Sequence, residues 1–121
     1  MPRLLIIDDD PDMAELLGHM ADVLGHEHEY VPNSARAFEA IRRSPPDVIV
    51  LDVMLEDTDG WAVYRELTPI TSAPIIFITA HDHDHEAVLR AYALGAVDFL
   101  FKPIIPEILC AKASVFVALQ E

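Results

Sequence analysis

The sequence predicts an α/β fold: one doubly wound, five-stranded parallel sheet with helices on both faces. Strand-like and helix-like segments alternate along the whole chain, the pattern of successive βα units. The strand-like runs are also continuously apolar, as in Leu4-Leu5-Ile6-Ile7, Val48-Ile49-Val50-Leu51 and Ile75-Ile76-Phe77-Ile78. Continuous apolar runs suit parallel strands that are covered on both sides. A chain of 121 residues, 52% of them hydrophobic, can build one core, so residues 1–121 read as a single domain.

Each element has a local cause. Residues 3–8 read as a buried strand that runs into three aspartates. Asp10 is a good N-cap and Pro11 a good first helical residue, so a helix is expected to Leu24, stopped by Gly25. The stretch Glu27–Val31 is mostly polar for a strand and belongs at the sheet edge. Asn33 or Ser34 caps a second helix with Ala37, Phe38 and Ile41 at helical spacing, ending before Pro45-Pro46. Strand 47–52, a loop to Gly60 and a short helix over about 61–68 come next. Strand 74–79, a loop rich in His and Asp, helix 85–94, Gly95 and strand 97–101 continue the alternation. A last helix starts near Pro106 and runs to the end.

The chemistry-bearing residues fall where the strands end. Asp8, Asp9 and Asp10 follow the first apolar run, Asp52 the third strand, Thr79 the fourth and Lys102 the fifth. Ligands on open parallel sheets bind beyond the carboxyl ends of the strands, so topology and chemistry agree. If strands 1 and 3 are neighbours, Asp8, Asp9 and Asp52 crowd together. Two like charges about 4 Å apart repel by roughly 4 kcal/mol at an effective dielectric of 20. A hard divalent cation relieves that repulsion, and Mg²⁺ (or Mn²⁺) suits a few carboxylates while leaving room for a phosphate oxygen. The plain alternative makes the aspartates a helix cap, which explains Asp10 better than Asp8 or Asp9. Lys102, ahead of Pro103, is placed to reach toward Asp52, against the default of a surface charge. The Thr79 hydroxyl, followed by the small Ala80, is placed to meet a phosphoryl oxygen. The set reads as a metal-assisted phosphoryl site.

Composition excludes other classes. Net charge is −13, from 8 basic and 21 acidic residues, which disfavours direct nucleic-acid binding. No apolar run approaches the roughly 20 residues of a membrane span, and the N-terminus does not resemble a signal peptide. The single Cys110 rules out an internal disulfide and fits a reducing, cytoplasmic setting.

Four segments together resemble the receiver domain of two-component response regulators (CheY-like) over essentially the full length. They are Ile6-Ile7-Asp8-Asp9-Asp10, Leu51-Asp52-Val53-Met54 with Asp59-Gly60 downstream, Phe77-Ile78-Thr79-Ala80, and Phe99-Leu100-Phe101-Lys102-Pro103. The resemblance implies a flavodoxin-like sheet of strand order 2-1-3-4-5. It implies that Asp52 accepts a phosphoryl group from a histidine kinase or phosphotransfer protein. Asp9, Asp52 and the Met54 backbone carbonyl would bind Mg²⁺, with Asp8 holding it directly or through water. Thr79 and Lys102 would contact the phosphoryl oxygens. Phe99 takes the position of the switch aromatic, where it lacks the hydroxyl of a Tyr; packing alone would equally account for it. Helix 4, strand 5 and helix 5 would then present a phosphorylation-dependent surface to an output domain or downstream protein, or to a second copy. No separate substrate turnover is expected.

Glu56 and Thr58 depart from the family pattern in the loop after the acceptor, where proline and an apolar residue are common. Met54 and His81 occupy positions that tune dephosphorylation in the family. The run His81-Asp82-His83-Asp84-His85-Glu86 suggests a transition metal, but alternate residues in a loop rarely hold fixed ligand geometry. His26 and His28 carry less still. Trp61 reads as a helix-start anchor rather than a binding platform. The final helix, with Ile108, Leu109, Val115, Phe116, Val117 and Leu119, is more apolar than one buried face needs, which suits a dimer surface or a further domain. An N-terminal receiver of a longer protein and a single-domain regulator both fit. Two other classes compete: an interaction module of the same fold, and a Mg²⁺-dependent phosphatase. The intact acid set weighs against the first. Met54 in place of a second acid and the lack of residues for a cap weigh against the second.

Overall fold

The computed structural model describes residues 3–23, 25–53, 55, 59–79, 85–95, 98–101, 107–109, 111–112 and 114–115. Its elements follow in the order β1 (Arg3–Ile7), α1 (Pro11–Val23), β2 (Glu27–Val31), α2 (Ser34–Arg43), β3 (Val48–Asp52), α3 (Gly60–Leu67), β4 (Ile75–Thr79), α4 (His85–Leu94) and β5 (Asp98–Phe101). Residues 107–109, 111–112 and 114–115 are also helical. The five strands form one parallel sheet of order β2-β1-β3-β4-β5. The expected fold class and strand order are both present.

Alternating strand residues feed two cores. Leu4 and Ile6 of β1, Val48 and Val50 of β3, and Ile76 and Ile78 of β4 pack against Met13, Leu17 and Ala21 of α1 and against Leu109. Leu5, Ile7, Ile49, Leu51, Ile75 and Phe77 point the other way, onto Ala37, Ala40 and Ile41 of α2 and Trp61, Val63, Tyr64 and Leu67 of α3. Most of these sheet residues are fully buried, and burying an aliphatic or aromatic side chain of this size contributes about 1.5–3 kcal/mol. Covering both faces also accounts for the unbroken apolar runs.

Element ends match their sequence signals closely. The Asp10 carboxylate accepts from the Asp12 N–H at 3.0 Å and opens α1. Asn33, rather than Ser34, caps α2 by accepting from the Arg36 N–H at 3.0 Å. Asp59 accepts from the Ala62 N–H at 2.8 Å, so α3 begins one residue earlier than expected, at Gly60. The first strand ends at Ile7 rather than Asp8, and the Asp8 N–H turns to the Val31 carbonyl at 3.2 Å. Leu24, Val97 and Pro106, expected at element ends, lie outside the described residues, as do 116–121. Among the described residues, no helix is long and apolar enough to cross a membrane.

As its polar sequence predicts, β2 lies at the sheet edge, where Glu29 bridges two arginines. Its carboxylate accepts from the Arg3 guanidinium of β1 and the Arg43 guanidinium of α2. The hydrogen bond from Arg43, followed by the charges of both arginines, outweighs partial burial and holds Glu29 below the usual carboxylate range. A carboxylate lowered by folding contributes stability above its unfolded-state value and loses it as pH falls through the folded-state value. Glu29→Gln is therefore expected to flatten the stability–pH curve below about pH 4.5, the ordinary glutamate value, with a smaller difference from wild type at lower pH. Urea unfolding midpoints across pH 3–7 check this.

Candidate functional site

Strand register builds the site. Leu4 pairs with Val48 and Ile6 with Val50 in the β1–β3 ladder. Two residues further along each strand, on the same face, stand Asp8 and Asp52. Neighbouring strands lie about 4.8 Å apart, so the two carboxylates leave the sheet side by side. Both are withdrawn from solvent, Asp8 at 0% and Asp52 at 4% exposure. Asp9 sits in the turn toward α1, half-buried. One carboxylate oxygen from each of Asp8, Asp9 and Asp52 lies within 4.8 Å of the other two. Among the described residues this is the sole grouping of three potential metal ligands.

The donor set suits a hard divalent cation. Bonds of about 2.0–2.1 Å span ligand oxygens up to about 4.2 Å apart across an octahedron, so small side-chain rotations can close the set. Without a cation, buried like charges at such distances oppose one another by a few kcal/mol at an effective dielectric of about 20. Asp8 also accepts from the Asp10 N–H at 2.9 Å through one oxygen, which fixes its carboxylate against the start of α1. Asp10 itself is used as the cap, so capping and clustering are divided among the three aspartates.

Beside the acids, β4 pairs Ile78 with Asp52, and the Val53 N–H donates to the Ile78 carbonyl at 2.9 Å. Thr79 follows as the last residue of β4, only 2% exposed. Phe99 on β5 pairs with Phe77 and is buried at 6% exposure. Its ring lies 6.2 Å from that of Phe77 and 6.5 Å from that of Trp61. Met54 and Lys102 lie outside the described residues, as do Glu56, Thr58, Ala80 and His81. The run from His81 to Asp84 lies outside them too.

Two features of the site's support were not legible in the sequence. The first is the fit of Gly60 against the end of β3, the strand that carries Asp52. A Cβ there would lie 2.7 Å from the Val53 Cα and closer still to the Asp52 carbonyl oxygen. The Gly60 N–H also donates to the Val53 carbonyl at 2.6 Å. Here a side chain is excluded by backbone proximity. The second is the Arg90 guanidinium, 4.9 Å above the centre of the Trp61 ring. Trp61 is buried as expected of an anchor, against Phe77 at 4.8 Å between ring centres.

A polar network joins α4, β5 and the C-terminal helical residues. The Lys112 ammonium donates to Asp98 at 2.6 Å and the Tyr92 hydroxyl donates to the same carboxylate at 3.4 Å. Its hydrogen bond to Asp98 raises Lys112 above the ordinary lysine value; burial, then Asp98, raises Tyr92. Leu89, Tyr92, Ile108 and Val115 expose apolar surface nearby.

A parallel five-stranded sheet with buried acids at the ends of β1 and β3 places the chain beside known proteins of one family. Residues 4–114 match the response regulator receiver domain family. The chain is 31% identical over 111 residues to the transcriptional regulatory protein BaeR of Escherichia coli O6:H1, covering 92% of this chain and 46% of BaeR. It is 34% identical over 110 residues to the DNA-binding response regulator MtrA of Mycolicibacterium smegmatis, covering 91% of this chain and 48% of MtrA. The crystal structure of a two-component response regulator from Clostridium difficile superposes with a TM-score of 0.91 at 30% identity. That match covers 98% of this chain and 97% of the other. The chain belongs to the response-regulator receiver domain family and spans about half the length of these curated relatives.

Two outcomes test the site. Asp52→Asn removes one of the crowded charges and is expected to stabilise the fold by roughly 1–3 kcal/mol in Mg²⁺-free buffer. Added Mg²⁺ should then stabilise the wild type more than the variant, as read by urea unfolding with and without the metal. Gly60→Ala forces a methyl into the Asp52–Val53 backbone and is expected to cost about 1–3 kcal/mol. Its Mg²⁺ affinity should fall as well, as measured by calorimetric titration.

Proposed function

We propose that this chain is a phosphorylatable receiver, a switch of a two-component phosphorelay, and that residues 1–121 form that one domain. The observation that carries the reading is the meeting of the Asp8, Asp9 and Asp52 carboxylates at the carboxyl end of the sheet, beside the buried Thr79, in a chain of this family. In this reading Asp52 is the acceptor. Asp8, Asp9, Asp52 and the Met54 backbone carbonyl hold Mg²⁺ or Mn²⁺, which when bound neutralises charge on the acids and the phosphoryl oxygens.

The residues then divide the work. An Asp52 carboxylate oxygen attacks the phosphorus of a phosphohistidine on a histidine kinase or phosphotransfer protein. An O–P bond forms as the P–N bond to the donor imidazole breaks, leaving an aspartyl phosphate. Charge spreads over the equatorial oxygens in the transition state, where the Lys102 ammonium and the Thr79 hydroxyl stabilise it in place. Water later attacks the same phosphorus, which returns the Asp52 carboxylate and free phosphate. The domain thus assists its own loading and unloading and turns over no other substrate.

The output in this reading is conformational. Thr79 moves toward the phosphoryl group and Phe99 adjusts beside it, which alters the surface of α4, β5 and the C-terminal helical residues. A ligand state favoured by a few kcal/mol suffices to invert two populations. That surface acts on an output domain or a downstream protein, or on a second copy of the chain. Its exposed Leu89, Tyr92, Ile108 and Val115 suit protein contact. The name of MtrA, a DNA-binding response regulator, supports transcription as the output, with DNA bound by another domain rather than by this acidic one. A cytoplasmic location, where histidine kinases and their nucleotide meet, goes with this role.

Incubation with acetyl phosphate and Mg²⁺ followed by intact-protein mass spectrometry tests the function. One phosphoryl group is expected on the wild type, none on Asp52→Asn and none without Mg²⁺. Lys102→Ala is expected to slow the gain by at least tenfold while sparing most Mg²⁺ affinity. A folded wild type that gains no mass and binds no beryllofluoride would instead be an interaction module.

A further inference from the structure

Trp61, the chain's one tryptophan, stands between the acceptor strand and α4. It follows Gly60, whose N–H donates to the Val53 carbonyl at 2.6 Å and which lies so close to the Asp52 and Val53 backbone that an added Cβ would clash with it. A displacement of the backbone at Asp52 is therefore passed to the start of α3 rather than absorbed there. The indole attached to that start is buried and bounded by Phe77 on β4 and Phe99 on β5. The guanidinium of Arg90 also lies 4.9 Å from the ring centre, on an exposed residue of α4.

We propose that Trp61 and Arg90 are positioning residues that couple the backbone of Asp52 to α4 through Gly60. The inference rests on Asp52 being the phosphoacceptor and adds a route that needs no hydroxyl on the β5 aromatic. Phe99 cannot donate a hydrogen bond through its side chain, so its placement depends on ring packing, and Trp61 is a packing partner. In this proposal α4 moves between an arrangement with the guanidinium over the indole, as the structure has it, and one with that contact broken. An element that both the acceptor and the α4 surface bias is what coupling requires. Coupling is reciprocal: if phosphorylation of Asp52 alters the Arg90–Trp61 contact, removal of that contact alters the binding of a phosphoryl group at Asp52.

The full 121-residue chain serves for the test, as wild type, Arg90→Ala and Arg90→Lys. Arg90 is exposed, so neither substitution opens the core. Beryllofluoride with Mg²⁺ is the phosphoryl mimic; Trp61 emission and beryllofluoride affinity are measured, and acetyl phosphate labelling is followed by mass. Trp61 emission is expected to change on saturation of the wild type. Arg90→Ala is expected to shift the beryllofluoride affinity by about two- to fivefold, the equilibrium factor of an exposed cation–π contact. Arg90→Lys, which keeps a cation over the ring, should return it toward wild type. Unmoved Trp61 emission in a chain that does gain phosphate would overturn the coupling and leave Asp52 as the acceptor. So would an unchanged affinity in Arg90→Ala, or a lysine variant that behaves like the alanine one. A wild type that neither gains phosphate nor binds beryllofluoride would overturn the acceptor assignment, and the coupling with it.

Discussion

The register between β1 and β3 governs the rest of this molecule. With Ile6 opposite Val50, Asp8 and Asp52 must emerge together at the carboxyl end of the sheet. A slip of one residue would send one of them to the opposite face. That register is held by the two cores, because Leu4, Ile6, Val48 and Val50 bury on one side while Leu5, Ile7, Ile49 and Leu51 bury on the other. The apolar interior therefore forces the acids into proximity that they would not choose. Folding energy spread over many side chains is set against a local repulsion of the kind that a divalent cation relieves.

Around that repulsion the supports are arranged by backbone as much as by side chain. Asp8 is steadied by the Asp10 N–H, and Asp10 by its duty at the head of α1. Gly60 seats α3 directly on the strand that carries Asp52. Behind it, Trp61, Tyr64, Phe77 and Phe99 form a continuous set of ring contacts. The Tyr64 hydroxyl extends that set by donating to the Leu94 carbonyl at the end of α4 at 2.7 Å. The side of the sheet that faces α3 and α4 is thus tied together, among the described residues, by aromatic packing.

The fold was legible because its signals are local. Asn33, Asp10 and Pro11 mark helix starts by their own chemistry, and the apolar runs of β1, β3 and β4 carry their burial in plain view. The acids of the site were legible for a related reason, since each lies at the end of such a run. Gly60 was visible as part of a family pattern, but its physical reason, the approach to Asp52 and Val53, exists only once α3 is docked. Arg90 was not visible at all. Nothing in the local sequence says which of the chain's 8 basic residues will stand over Trp61, because that contact joins the starts and middles of two different helices across the sheet. The reach of Lys102 and the carbonyl of Met54 concern residues outside those described.

The edge strand β2 also limits how copies of the chain can meet. An outermost parallel strand leaves backbone donors and acceptors facing outward, ready to accept a further strand. Here that strand reads Glu27-His28-Glu29-Tyr30-Val31, and Glu29 is already engaged by arginines from β1 and α2. A second copy laid against this edge would bring acidic side chains against acidic side chains and compete for both arginines. The sheet is in effect closed on that side by charge, so growth into a larger sheet is discouraged there.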